Sequence, residues 1–224
     1  LHPPAALKKP KVGYVRATTA EGIASLKPKL VLASSILGPP TIHKQLKDAG
    51  LRLELVKAPK SIEDALERIS QIGKLLKKEA AAKKLADGIT TKVAEAKAYT
   101  KGKKAKRILF VFVHGGASML IAGKGTAANV MIEAAGAVNA VNGYEGYKPL
   151  TAEALLVAKP DIVLATTRSL KATGGEKGLW KSPGLKLTPA GKKQALIVMD
   201  DLKLMGFGPR TGDAVLELSK AIYP

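Results

Sequence analysis

Short apolar runs alternate with helix-spaced apolar stripes along this chain, and their order predicts its elements. Lys29–Ser34 (KLVLAS), after the breaker Pro28, reads as a short buried strand, and the alternating Leu51–Val56 (LRLELV) as a second. Pro39–Gly50 between them has a helical pattern and ends in glycine, a favoured residue just past a helix. Strand, helix, strand is the order of a parallel βαβ unit. From Ser61, a plausible N-cap with acidic residues in the following turn, Ile62, Leu66, Ile69, Ile72 and Leu76 recur at helical spacing. Glu79–Thr100 continues as an Ala- and Lys-rich helix whose one weak point is Gly88, and the polar Lys101–Arg107 marks its exit. Strands are expected at Ile108–Val113, Asp161–Thr166 and Ala195–Met199, and helices at Thr126–Ala135 and Thr211–Ile222.

An internal repeat organises these elements. Ala20–Ser34 (AEGIASLKPKLVLAS) aligns without gaps to Ala152–Thr166 (AEALLVAKPDIVLAT), an offset of 132 residues. In both copies Ala-Glu opens a short helix, Lys-Pro breaks it and an apolar strand follows. Gly13-Tyr14 precedes the first copy and Gly146-Tyr147 the second, one residue closer. The expected class is therefore α/β, with two similar lobes at 1–78 and 101–224 joined by the long charged helix 79–100. Ligands of such paired lobes sit in the cleft between them.

Composition narrows the partners. The 224 residues are 46% hydrophobic and 25% charged, enough for a real core. Lys and Arg exceed Asp and Glu to a formal net charge of +19, which favours polyanions, anionic membranes or acidic ligands. Only six of the 37 basic residues are Arg, the residue suited to bidentate phosphate and base-edge contacts. With aromatics at 4%, a nucleic-acid-binding module is disfavoured. The absence of cysteine excludes disulfides and thiolate metal sites. No apolar run approaches the roughly 20 residues that span a bilayer, so no stable membrane insertion is expected. The Pro- and Lys-rich Leu1–Lys11 has no signal-peptide core.

Several separated motifs resemble the haem-binding periplasmic proteins that feed ABC haem importers. They are VGYVRATTAEGIASLKPKLVLAS (12–34), VHGG (113–116), AGKGTAANVMIEAAGAVNAV (122–141), GYKPLTAEAL (146–155), TTRSLKATGG (166–175) and MDDLKLMGFGPRTGDAV (199–215), in the order that family has them. The resemblance implies two Rossmann-like lobes bridged by a long helix, with little hinge motion and haem in the interlobe cleft. It further implies a monomer in the periplasm, or lipid-anchored outside the cytoplasm, that hands haem to an inner-membrane ABC permease. The family has a strand and helix ahead of its Tyr motif, so the first lobe is expected to lack its first βα unit. Pro160-Asp161 keeps the family pattern, whereas the first copy has Pro28-Lys29.

The candidate chemistry is a small set of side chains. Tyr14 and Arg16, two apart, share a face in extended chain. Tyr is a known ligand of haem iron, and a nearby cation such as Arg16 favours its phenolate, whose free pKa is near 10. Read without the resemblance, Tyr14 is a loop packing residue beside a solvated Arg. His114 ends a strand ahead of Gly115-Gly116, where α/β proteins hold ligands. It is either a hydrogen-bonded structural residue or, on the resemblance, a second iron ligand, for the same haem or a stacked one. Arg168 ends another strand, and Tyr147 and Arg210 lie in Gly- and Pro-rich loops. Arg pairs bidentately with carboxylates such as haem propionates. Trp180 and Phe207 are either cleft linings or core.

Two decoys can be set aside. Gly123-Lys124-Gly125 with Ala128 imitates a dinucleotide fingerprint but lacks the acidic residue at a following strand end, so Thr126 reads as a helix N-cap after a glycine turn. His2 and His43 lack carboxylate neighbours at ligand spacing. No catalytic triad or carboxylate pair stands out, so the chain reads as a non-enzymatic binding protein. A ferric siderophore or a corrinoid is the alternative cargo. Docking in the family uses an acidic knob on each lobe. Glu176 is a candidate knob, but Gly38–Lys47 carries no acid, so coupling to a typical permease is expected to be weak.

Overall fold

A computed structural model describes residues 3–15, 17–113, 119–182 and 184–224. The first part contains α1 (Ala20–Ala24), β1 (Val31–Ser34), α2 (Pro40–Asp48) and β2 (Leu53–Val56). β1 and β2 pair in parallel with Val31 opposite Leu53, as a βαβ unit requires. Ile23, Val31, Ala33, Leu37, Ile42 and Leu46 close a small core on one face of this pair. Gly50 ends α2 at φ 74°, a left-handed value that favours glycine.

Two helices lead to the second sheet, α3 (Ile62–Leu75) and α4 (Glu79–Thr100). The Ser61 hydroxyl caps α3 by accepting the Asp64 N–H at 3.0 Å. The buried stripe of α3 is Ile62, Ala65, Ile69 and Gly73, and Leu76 is exposed instead of buried. Small residues take the inner positions because α4 passes close by: a Cβ on Gly73 would lie 2.4 Å from the Ala82 Cβ. Ala82, Ile89 and Ala96 of α4 join Ile62 and Ile69 in the apolar layer that covers one face of the second sheet.

That sheet is built from β3 (Arg107–Phe112), β4 (Leu120–Ala122), β5 (Val138–Asn139), β6 (Tyr147–Pro149), β7 (Ile162–Thr166) and β8 (Leu196–Met199). Its strand order is β6-β4-β3-β7-β8, with β5 also on β3. β3, β7 and β8 run parallel, while β4 and β6 add antiparallel strands. Strand alternation splits the core. Ile108, Phe110, Ile162 and Leu164 face α3, α4, α5 (Ala127–Ala134) and α11 (Thr211–Ile222). Leu109, Val111 and Val163 face the opposite layer, formed by α6 (Ala152–Ala158), α8 (Gly175–Trp180) and α9 (Pro189–Lys193). Two short helices leave the strand ends: α7 (Thr167–Ala172) after β7 and α10 (Asp201–Met205) after β8.

The sequence repeat is a structural repeat. Thr19 and Thr151 cap α1 and α6 through equivalent hydroxyls, which accept the N–H of Gly22 and of Ala154. Lys27 and Lys159 both adopt left-handed backbone, at φ 45° and 39°, to turn the chain into the following strand. Gly13 and Gly146, each just before a tyrosine, stand at φ 93° and 79°.

Candidate ligand-binding site

Each sheet presents the C-terminal ends of its parallel strands along one edge, where side chains leave the core and the following loops meet solvent. This is where open α/β sheets bind ligands. In the first sheet, the loop carrying Tyr14 is tied to the end of β1. The Leu37 N–H donates to Ser34, and the Gly38 N–H donates to the Val15 carbonyl at 2.8 Å. The buried Thr18 hydroxyl lies 3.0 Å from the carbonyl oxygens of both Val12 and Tyr14, clamping the loop from inside. Tyr14 itself is 57% exposed, with no hydrogen bond to its phenol among the described residues. A loop that is pinned while its tyrosine stays free can offer an oxygen ligand without reorganising. Arg16, proposed from the sequence as the cation beside Tyr14, lies outside the described residues. An apolar groove of about 380 Å³ runs along the open edge of β1, lined by residues such as Val12, Thr18, Ile23 and Leu32. Its lining includes Val15, Ser34 and Leu37, so it adjoins the Tyr14 loop at the first strand edge and takes nothing from the second sheet.

In the second sheet, the ends of β3, β7 and β8 lie side by side. The Val113 N–H donates to Ser169 Oγ at 3.1 Å, joining the exit of β3 to the residue after Arg168. His114 lies outside the described residues. Arg168 opens α7 with its side chain 70% exposed, its backbone N–H on Asp201 and its guanidinium 3.9 Å from the same carboxylate. Arg210 lies on the turn after α10 and donates to Asp200 Oδ1 at 3.2 Å. Asp200 also caps α10 by accepting the Lys203 N–H at 2.8 Å. Burial by itself would raise the Asp200 carboxyl, but the Lys203 N–H and the Arg210 guanidinium together hold it below the ordinary carboxylate range. Arg168 and Arg210 therefore flank an aspartate pair at the strand ends, and the Arg168 guanidinium stays largely exposed.

Tyr147 belongs to the outermost strand, β6, and its ring lies 5.8 Å from that of Phe112 at 48°. Burial pushes its phenol up, so it stays protonated at neutral pH and acts as a hydrogen-bond donor or an apolar wall. Sequence reasoning missed Phe112, Asp200 and Asp201. Phe112 was hidden inside a buried-strand pattern, whereas the Asp200-Asp201 pair at a strand end was a readable cap signal. Trp180 and Phe207 belong to the core, 5% and 2% exposed. The Gly123 and Lys124 amides donate to the carbonyls of Gly146 and Tyr144, which ties this turn to the loop before β6, and Thr126 is the N-cap of α5. His43 holds the Leu37 carbonyl at 3.0 Å, a structural contact. Among the described residues no helix is long and apolar enough to cross a membrane.

Solved structures of similar proteins share this architecture. The periplasmic heme-binding protein RhuT from Roseiflexus sp. RS-1, in its apo form, matches with a TM-score of 0.95 and 36% identity, covering 99% of this chain and 86% of that one. The periplasmic heme-binding protein BhuT, in complex with two hemes, matches at 0.91 and 40%, over 99% and 86%. HutB of Vibrio cholerae, also a periplasmic heme-binding protein, matches at 0.89 and 30%, over 99% and 87%. By sequence, the ABC transporter substrate-binding lipoprotein YvrC of Bacillus subtilis (strain 168) is 31% identical over all of this chain and 70% of its own length. A family model described as periplasmic binding protein matches residues 2–202. Two parallel strand edges joined through α3 and α4, the repeated βα units and these matches together make the chain a member of the periplasmic binding protein family.

Proposed function

We propose that this protein binds haem between its two strand edges, outside the cytoplasm, and delivers it to an ABC importer in the inner membrane. What carries the reading is the complementarity of the two edges. One offers an exposed phenol on a pinned loop, Tyr14, and the other offers two guanidinium groups, Arg168 and Arg210, beside an aromatic wall of Phe112 and Tyr147. An iron porphyrin needs an axial donor at its centre, cations at its carboxylates and apolar surface along its face. Similarity to three heme-binding proteins supports the same cargo. Tyr14 supplies the anionic oxygen for iron(III), Arg16 favours the phenolate, and His114 is a second ligand, a nitrogen donor to the same iron or to that of a stacked haem. The arginines and Tyr147 hold the propionates and the ring edge.

Hemin titration followed by absorbance tests this reading. A Soret shift that saturates at a defined stoichiometry is expected. Scattering without saturation would mean adsorption to a basic surface, and saturable binding of a corrinoid or ferric siderophore with no Soret response to hemin would transfer the site to that cargo.

A further inference from the structure

A half-buried cation outside the site contacts the turn that leads to one of its arms. Arg68 lies on the second turn of α3, half-buried. One of its terminal nitrogens donates to the Gly206 carbonyl at 3.0 Å and to the Phe207 carbonyl as well. These acceptors are 138 and 139 residues away in sequence, at the C-terminal end of α10, where a cation also complements the helix dipole. Phe207 stands at φ 46°, an unusual backbone for a bulky residue, with its ring buried in the core. Such a conformation persists only where its surroundings hold it. Three residues further on is Arg210, in a turn closed by the Thr211 N–H and hydroxyl, both donating to the Gly208 carbonyl.

The same face of α3 is moored to the first sheet. Asp64, one turn before Arg68, accepts the Lys57 ammonium at 2.9 Å and the Lys60 N–H at 2.8 Å, just past the end of β2. Gln71, one turn after, donates to the Leu55 carbonyl of β2 at 3.4 Å. Asp64, Arg68 and Gln71 are spaced i, i+4, i+7, one polar stripe beside the apolar one. This stripe ties the first sheet to the turn that carries Arg210.

We propose that Arg68 is a positioning residue: by holding the Gly206 and Phe207 carbonyls against α3, it sets the Arg210 guanidinium where it receives a carboxylate of the bound ligand. The proposal rests on the reading of Arg210 as a haem contact. Without Arg68 two backbone carbonyls lose a charged donor, Phe207 loses what over-determines its backbone, and the 206–211 turn gains freedom that ligand binding must then remove.

The test is a double-mutant cycle with Arg68→Met and Arg210→Ala, read by hemin affinity, alongside amide hydrogen exchange of the ligand-free proteins. Arg68→Met is expected to speed exchange across 206–211 and to weaken hemin binding by about fivefold or more, the scale of one lost hydrogen bond. In the Arg210→Ala background it is expected to add little further loss, and Arg68→Lys, which keeps a donor, is expected to recover part of the affinity. Unchanged exchange in Arg68→Met would overturn the proposal by itself, whatever hemin does. Faster exchange with unchanged affinity, or losses that simply add, would leave Arg68 a structural clamp and also overturn it. Should Arg68→Met fail to fold, Arg68→Lys in the same cycle decides: coupling to Arg210 supports the proposal and additivity overturns it. Failure of the unmutated protein to bind hemin would sink the haem reading and this proposal together.

Discussion

Single side chains carry the chemistry, and their effects are separable. Tyr14→Phe removes only a hydroxyl from an exposed ring, so the fold should persist. Hemin binding should weaken and the tyrosinate-to-iron charge-transfer band should vanish, while His114→Ala should retain that band. The opposite spectra would make His114 the primary ligand. The pH dependence belongs to Asp200, whose folded carboxyl lies below its unfolded value. Its contribution to stability is present above the ordinary Asp pKa and is lost as pH drops through the folded value. Asp200→Asn keeps an N-cap oxygen for Lys203 but removes the charge facing Arg210. Its thermal midpoint should therefore drop less than that of the unmutated protein between about pH 5 and pH 2.5, by a small margin because the pair is half-exposed. An equal acid slope in both proteins would contradict this.

At the scale of elements, short-range rules explain most of what formed. Thr19, Ser61, Thr126, Thr151 and Asp200 each stand where a helix begins and each accepts a backbone N–H three residues on. The repeat shows what a single exchange does. Asp161 in the second copy accepts the Arg107 N–H at 2.8 Å and so organises the start of β3, whereas its counterpart Lys29 has no acceptor to offer. Close helix contact is less visible in sequence, and two glycines separate its cases. Gly88 in α4 has nothing within 4 Å of its missing Cβ, so Gly88→Ala should stabilise by about 1 kcal/mol through helix propensity. Gly73 in α3 meets the Ala82 Cβ at 2.4 Å, so Gly73→Ala should destabilise by about 1–3 kcal/mol through overpacking. Urea unfolding of both variants checks the pair, and shifts of the same sign would refute the packing of α3 on α4.

At the scale of the whole molecule, the net charge of +19 shapes association more than folding. Glu176 is exposed at the start of α8, but the sole acid of α2, Asp48, is spent on Lys44 at 2.7 Å. If importer docking needs an acidic knob on each lobe, immobilised permease should retain little of this protein in a pull-down, and stoichiometric retention would refute that expectation. The sequence by itself determined the α/β class, the paired βα units, the long helix at 79–100 and the caps, because alternation, helical spacing and capping act over a few residues. It also singled out Tyr14, Tyr147, Arg168 and Arg210, since each follows a local signal at a strand end or a glycine turn. The three-residue strands β4 and β6 escaped it, being too short to show a period. Tertiary structure alone decided that Phe112 would meet Tyr147, that Arg210 would face Asp200, and that Arg68 would close on carbonyls 138 and 139 residues away. Backbone carbonyls look alike in every residue, so no sequence pattern marks which distant turn will supply the acceptor. Only the packing of α3 between the first sheet and the 206–207 turn brings donor and acceptor together.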